Sequence, residues 1–383
     1  MHGDRSKNDL DDLVDELDAF GAVTPAARPG SGKVEQWLRA LTARRGSDLL
    51  LVAGEPPSVR VCGKVVRLDD STLDGQDIED AVLAAISPHA QRQFRATQIA
   101  DASLGIPHVG RFRVNLHRER GRSAAAIRAL PTHVPSIASL NLPKGIDRLT
   151  RLSHGLVLIG GATGSGKTTT LAALIDDINR REARHIITIE DPIEYEHTNV
   201  LSIIEQVEVG LDAPDFPTAL RAALRQAPDI IVVGEMRDAE TMRIALAAGE
   251  TGHLVFSTLH TTDIATTISR IADSFPSERQ PTIRQELAMA VTAVFTQTLL
   301  PTINGERVPA AELLMVSYGA RQHIRKNGLQ HLHQEITITR KNGSFSLEDS
   351  LARLVKEGVV HKDEALLRAN HPEDFQQALA TMP

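Results

Sequence analysis

Residues 155–176 read GLVLIGGATGSGKTTTLAALID, and their reading decides the fold. The first six form a short apolar run of the kind that makes a buried strand. The residues from Lys167 onward read as a helix. Between the two, Gly161-Ala162-Thr163-Gly164-Ser165-Gly166-Lys167-Thr168 completes the spacing G-x-x-x-x-G-K-[ST]. The glycines let the backbone curl until its N–H groups point inward at a phosphate. The helix N-terminus adds partial positive charge. Lys167 reaches the β- and γ-phosphates, and the Thr168 hydroxyl ligates Mg²⁺. Thr169 completes the nucleotide-binding set, and the expected cofactors are ATP and Mg²⁺. A second glycine-rich tetrad, Gly30-Ser31-Gly32-Lys33, has no following Ser or Thr and no preceding strand, so it is set aside.

Outward from this stretch, short Val/Ile-rich runs alternate with helical ones: HIITIE, FPTALRAALRQ, DIIVVGE, AETMRIALAAG and HLVFST. Buried strands alternating with helices predict an α/β fold with a parallel-rich sheet covered on both faces. After about residue 280 the chain reads as mostly helical, with IRQELAMAVTAVFTQTLL as the longest helix, then SFSLEDSLARLVKEG and KDEALLRA. Upstream, VEQWLRALTARR reads as a helix, SDLLLVA and SVRVCGKVVRL as strands, DIEDAVLAAI as a helix, and GRFRVNLHRE with SAAAIRAL as paired strands joined at Gly121. The expected organisation is an acidic extension and linker over 1–32, an α+β domain over 33–145, and a nucleotide-binding domain with a helical tail over 146–383. Within the extension, DLDDLVDELDAF at 9–20 has helical spacing, and GAVTPAARPGSG reads as a flexible linker.

Hydrolysis also needs carboxylates to hold metal and position water. Two acidic clusters end predicted strands, where ligands of open α/β sheets gather. One is Glu190-Asp191-Pro192-Ile193-Glu194, after HIITI. The other is Glu235, after DIIVVG. Gly234 stands where an aspartate metal ligand is usual, so Glu190, Asp191 and Glu194 are the candidates to supply what is missing. Arg237 would steady an acidic neighbour or a phosphate, or form a surface pair. His253 and His260 bracket the strand in GHLVFSTLH, at a spacing unsuited to zinc and with no cysteine nearby. They would sense the γ-phosphate or polarise Glu235 or Glu194, since imidazole protonation responds to a nearby anion. The alternative is that they only cap backbone.

Composition narrows the classes. Aromatic residues are 3% of the chain, so its core must rest on Leu, Val, Ile and Ala. The net charge of −7 argues against nonspecific nucleic-acid binding. A single cysteine, Cys62, cannot form an intrachain disulfide, which fits a reducing cytoplasm, and it reads as a small buried apolar residue. No apolar run approaches the ~18–20 residues that span a bilayer, and MHGDRSKNDLDD has no signal-peptide core.

The stretches GGATGSGKTTTLAALID, ITIEDPIEYEH, ALRAALRQAPDIIVVGEMRDAET and ETGHLVFSTLHTTD resemble the secretion ATPases of the type II/IV, VirB11-like superfamily, and most of all the twitching-motility retraction ATPases of type IV pili. GSDLLLVAGEPPSVRVCGKV, GRFRVN and FTQTLL extend the resemblance over roughly residues 33–360. It implies a PAS-like N-terminal domain followed by a RecA-like P-loop domain. It makes Glu194 the catalytic carboxylate, sets Glu235 near Mg²⁺ through water, and brings His253 and His260 to the nucleotide or a subunit contact. It gives Arg113 and Arg128 the task of stabilising charge on the transferred phosphoryl group. Gly234 is then a family trait. Two positions depart from the family. Gln322 and His323 interrupt an AIRNLI-type helix that otherwise keeps Ala320, Arg321, Ile324 and Arg325. Ala227 replaces an acidic residue before Pro-Asp.

The resemblance implies a homohexameric cytoplasmic motor, peripheral at the inner face of the membrane. It would drive pilus retraction through an inner-membrane platform protein, alongside other pilus ATPases, with neither nucleic acid nor direct membrane insertion. The lack of a tetracysteine zinc insertion favours retraction over assembly. The alternatives are a secretion or assembly ATPase, a nucleotide-gated regulatory subunit with little turnover, and a DNA translocase, which the net acidity disfavours.

Overall fold

The computed structural model describes residues 31–382. The acidic helix expected over 9–20 and most of the expected linker lie outside the described residues. Two compact units divide between Ala129 and Leu130. Residues 130–145, expected with the first domain, go with the second. There Arg353 donates to the Asn141 side chain at 3.0 Å and to its carbonyl at 2.7 Å.

The first unit runs α1 (Ser31–Ala43), β1 (Asp48–Val52), β2 (Ser58–Val61), β3 (Lys64–Arg67), α2 (Gly75–Ala85), α3 (Pro88–Thr97), β4 (Ala100–Ile106), β5 (Gly110–Glu119) and β6 (Arg122–Ala129). Its sheet has the order β3-β2-β1-β6-β5-β4, antiparallel throughout. Alternation along β5 turns Phe112, Val114 and Leu116 inward, against Trp37, Leu38, Ile78 and Phe94 from the helices. SVRVCGKVVRL, expected as one strand, is a hairpin. Val61 pairs with Lys64, and Cys62 and Gly63 turn the chain with φ of 48° and 79°. Positive φ at both positions is what a tight two-residue hairpin turn requires. Cys62 is therefore exposed, not buried as expected.

The second unit continues with β7 (Gly155–Gly160), α4 (Lys167–Arg181), β8 (His185–Glu190), β9 (Ile203–Glu208), α5 (Phe216–Ala223), β10 (Ile230–Val233), α6 (Ala239–Glu250), β11 (Leu254–Leu259), α7 (Ile264–Asp273) and α8 (Gln280–Ala290). Then come β12 (Val291–Pro301), β13 (Arg307–Met315), α9 (Tyr318–Arg325), α10 (Leu332–Ile338), α11 (Leu347–Lys356), α12 (Lys362–Arg368) and α13 (Pro372–Thr381). The sheet order is β13-β12-β7-β11-β10-β8-β9, parallel except for β13. β7, β10 and β11 are buried along their whole length. Their residues alternate between two cores: Leu156 and Leu158 join one, Val157 and Ile159 the other. This is why these strands read as unbroken apolar runs.

The helix expected over IRQELAMAVTAVFTQTLL ends at Ala290, and β12 takes the rest. From Val291 the residues are mostly β-branched or aromatic, and they pack on a pleated surface rather than a helix face. In α9, Ala320 and Ile324 are fully buried. Arg321 donates to the last carbonyls of α8, at Ala288 and, at 2.7 Å, Met289. The divergent His323 lies 3.7 Å from Glu335, with its ring 5.1 Å from that of His331.

Ala227 is exposed and left-handed, with φ of 52°. An L residue with a Cβ is strained there, and a short polar side chain lowers the cost by bonding locally. Ala227→Asn is expected to raise stability by roughly 0.5–1 kcal/mol, read as a higher denaturation midpoint in urea.

Candidate active site

Strands β7, β11, β10 and β8 are neighbours and run parallel, so the segments leaving their C-terminal ends meet along one edge. These are the glycine-rich loop after β7, the turn at His260 after β11, the Gly234–Arg237 segment after β10, and the acidic loop after β8.

The loop is shaped by close packing. A Cβ at Gly161 would come within 2.7 Å of the Gln297 carbonyl. Gly166 caps α4 with φ of 90°, and a Cβ there would meet the Gln297 amide at 2.9 Å. Gln297 itself donates to the Ser165 carbonyl at 2.5 Å and accepts from the Thr170 hydroxyl at 2.7 Å, clamping the loop to β12. Lys167 is buried, and its ammonium donates to the carbonyls of Gly161 (2.7 Å) and Ala162 (3.0 Å). Burial pulls its pKa below the usual lysine value, while the charges of Glu235 and Glu194 push it back up. Thr168 sits at the start of α4. The Thr169 hydroxyl, assigned to the nucleotide, pairs with the Tyr195 hydroxyl at 3.0 Å.

Gly234 is held tight against β8: its N–H donates to the Ile189 carbonyl, and a Cβ would meet that oxygen at 3.1 Å. A side chain in its place would have to displace backbone, which leaves Glu235 as the carboxylate of this strand end. Glu235 pairs with Arg237 at 2.8 Å and with His260 Nε2 at 3.0 Å. Burial pushes the Glu235 carboxyl up, but Arg237, His260 and Lys167 outweigh it and hold it below the usual carboxylate range. The other His260 nitrogen lies 3.3 Å from the Thr163 hydroxyl. His260 thus spans from Glu235 to the phosphate loop.

In the acidic loop, Glu190 accepts from Thr188 (2.7 Å) and Gln206 (3.3 Å). Burial pushes its carboxyl up, against the pull of the bonds from Thr188, Gln206 and the Glu194 backbone. A carboxyl so engaged anchors the loop, which makes Glu190 a poor metal ligand. Asp191 is exposed.

His253 is not brought to this edge. It precedes β11, and its carbonyl accepts from the Gly155 N–H at the start of β7. Six strand residues separate it from His260, seven steps or about 23 Å at ~3.3 Å each. Its ring nitrogen lies 3.3 Å from the Ala248 carbonyl, a backbone cap at the far end of the sheet. Arg113 and Arg128 belong to the first unit. They are cross-strand partners on β5 and β6, exposed, with Arg113 3.9 Å from Asp101 and Arg128 3.0 Å from Asp48.

Among the described residues no three or more His, Cys, Asp or Glu side chains form a cage for a metal ion. A cation here would draw most of its ligands from phosphate and water, the habit of Mg²⁺. Thr168 and the ionised Glu235 are oxygen donors of the right kind. Sequence reading missed Tyr195 and Gln297. Tyr195 stood inside a quoted motif, whereas Gln297 lay in a stretch read as helix.

The family model described as type II/IV secretion system protein matches residues 136–378. The type IV pilus retraction ATPase PilT of Pseudomonas aeruginosa is 40% identical over 88% of this chain and 98% of its own length. A twitching motility protein of Neisseria gonorrhoeae is 38% identical over 83% of this chain and 86% of its own. The crystal structure of the pilus retraction motor PilT with bound ADP superposes with a TM-score of 0.81 at 39% identity, covering 89% of this chain and 98% of that one. The phosphate loop, its paired carboxylates and these likenesses agree: the chain belongs to the type II/IV secretion system protein family, whose pilus retraction and secretion members are ATPases.

Proposed function

We propose that the chain is a homohexameric motor ATPase that drives retraction of type IV pili. The observation that carries the chemistry is the buried Lys167 at the phosphate loop with Glu235 joined to that loop through His260 and Thr163. The loop N–H groups and the head of α4 bind the phosphates. Lys167 leaves its two carbonyl partners for the β- and γ-phosphate oxygens. Thr168 and Glu235 would hold Mg²⁺, which neutralises phosphate charge when bound. Glu194, close enough to influence Lys167, accepts a proton from the attacking water. Arg237, with His260 and Lys167, keeps Glu235 ionised, and His260 reads the loop through Thr163. Arg113 and Arg128, a pair of exposed guanidinium groups on adjacent strands, suit the stabilisation of a developing charge.

The retraction role is supported by likeness to PilT along nearly the whole of that protein. Among the described residues no helix is long and apolar enough to cross a membrane, and the reading places the motor at the cytoplasmic face, on an integral platform protein. The test is deletion of the gene in the organism that carries it. Pili that still extend but no longer shorten, with surface translocation lost, are the expected result. Absence of pili altogether would move the protein to assembly.

A further inference from the structure

Glu312 is buried on β13, and the chemistry above does not use it. A single oxygen, Oε1, accepts from the Ile264 N–H at 3.0 Å and from the Thr296 hydroxyl at 2.9 Å. Ile264 opens α7. Thr296 lies opposite Gly160, the last residue before the phosphate loop. One carboxylate oxygen therefore ties the head of α7 to the strand beside that loop.

Only four residues, His260–Asp263, connect β11 to α7. Asp263 caps the helix, and the hydroxyls of Thr261 and Thr267 pair at 2.7 Å. A Cβ on Gly160 would come within 2.7 Å of the Thr261 hydroxyl and 2.8 Å of the Thr267 hydroxyl, so the turn lies against the strand end. His260 is the first residue of this turn and bonds to Glu235 and Thr163.

We propose that Glu312 is a positioning residue for ATP hydrolysis: by anchoring the head of α7 it holds the turn that presents His260 to Glu235 and the phosphate loop. The inference rests on the reading of that loop as a hydrolytic site. An ionised carboxylate holds N–H and O–H donors more strongly than a neutral one. Burial pushes the Glu312 carboxyl up to about 7 despite those two bonds. The charged groups facing it, Glu348 on α11 and Asp263 at the head of α7, are both acidic and push the same way. The anchor is thus firmest above neutral pH, and turnover rises as Glu312 ionises. Stability runs in the opposite sense. Between its ordinary value of 4.5 and about 7, the folded chain holds this proton and the unfolded chain does not, so stability falls as pH rises through that window.

The experiment measures kcat and KM for ATP against pH for the full-length protein and for Glu312→Gln, Glu312→Leu, His260→Ala and the Glu312→Leu/His260→Ala pair. Glu312→Leu is expected to lower kcat by about 10-fold with KM within ~2-fold, and to add less than ~2-fold once His260 is alanine. Glu312→Gln keeps an oxygen acceptor, so it retains kcat within ~3-fold but loses the rise through pH 7. It also melts higher than the unsubstituted protein at pH 8 and close to it at pH 5. Independent, multiplying costs in the pair, or a pH rise that survives in Glu312→Gln, would overturn the inference alone. If Glu312→Leu does not fold, the Glu312→Gln profile decides. Absence of turnover in the unsubstituted protein would overturn the reading of the loop, and this inference with it.

Discussion

Lys167→Ala abolishes ATP hydrolysis, by about 10³-fold or more, and weakens nucleotide binding as well. The lysine is buried, its ammonium lies within 3.0 Å of two loop carbonyls, and its pKa is pulled down by that burial. A cation already stripped of water binds a phosphate oxygen without first losing its hydration. Alanine leaves the phosphates with backbone donors alone. Fluorescent-nucleotide titration and steady-state hydrolysis read the two losses separately. The fold survives the change, because α4 is still fixed through Gln297 to Thr170 and Ser165. Unchanged binding would mean that the lysine never leaves its carbonyls.

Glu194→Gln has the second largest effect and a different signature. It lowers kcat by roughly 10²–10⁴-fold while ATP still binds, since a proton acceptor is lost and no phosphate contact is. Glu194 sits one residue before Tyr195, whose hydroxyl ties the acidic loop to Thr169 on α4. The backbone that carries Glu194 is therefore tied to the helix that opens at the phosphate loop. Loss of binding in parallel with kcat would make Glu194 a ligand of the nucleotide or its metal instead.

Much of this was legible in the sequence because buried parallel strands write themselves plainly. GLVLIG, DIIVVG and HLVFST are buried on both faces, and each ends where its functional residue begins. Glu235 and His260 could thus be placed by strand direction, whereas Glu194, four residues beyond HIITIE, took its role from the family resemblance. His253 could not, because bracketing a strand puts two residues at opposite edges of a sheet. The β12–β13 hairpin was hidden for a related reason: a strand buried on both faces has no alternation to separate it from a buried helix. That error concealed Gln297 and Glu312, both of which act from these strands. Cys62 misled because it occupies a left-handed turn position normally given to Asn, Asp or Gly. β9 went unread because it is an edge strand in which Glu205, Gln206 and Glu208 break the apolar run without alternation.

The central claim is that this chain hydrolyses ATP by itself as a ring. The direct measurement is Mg²⁺-dependent hydrolysis by the purified protein over a series of protein concentrations, beside Glu194→Gln. The account predicts a rate per protomer that climbs cooperatively with concentration and vanishes in the variant. Nucleotide binding with no turnover at any concentration, where rings demonstrably form, would contradict it and leave a regulatory subunit in place of a motor.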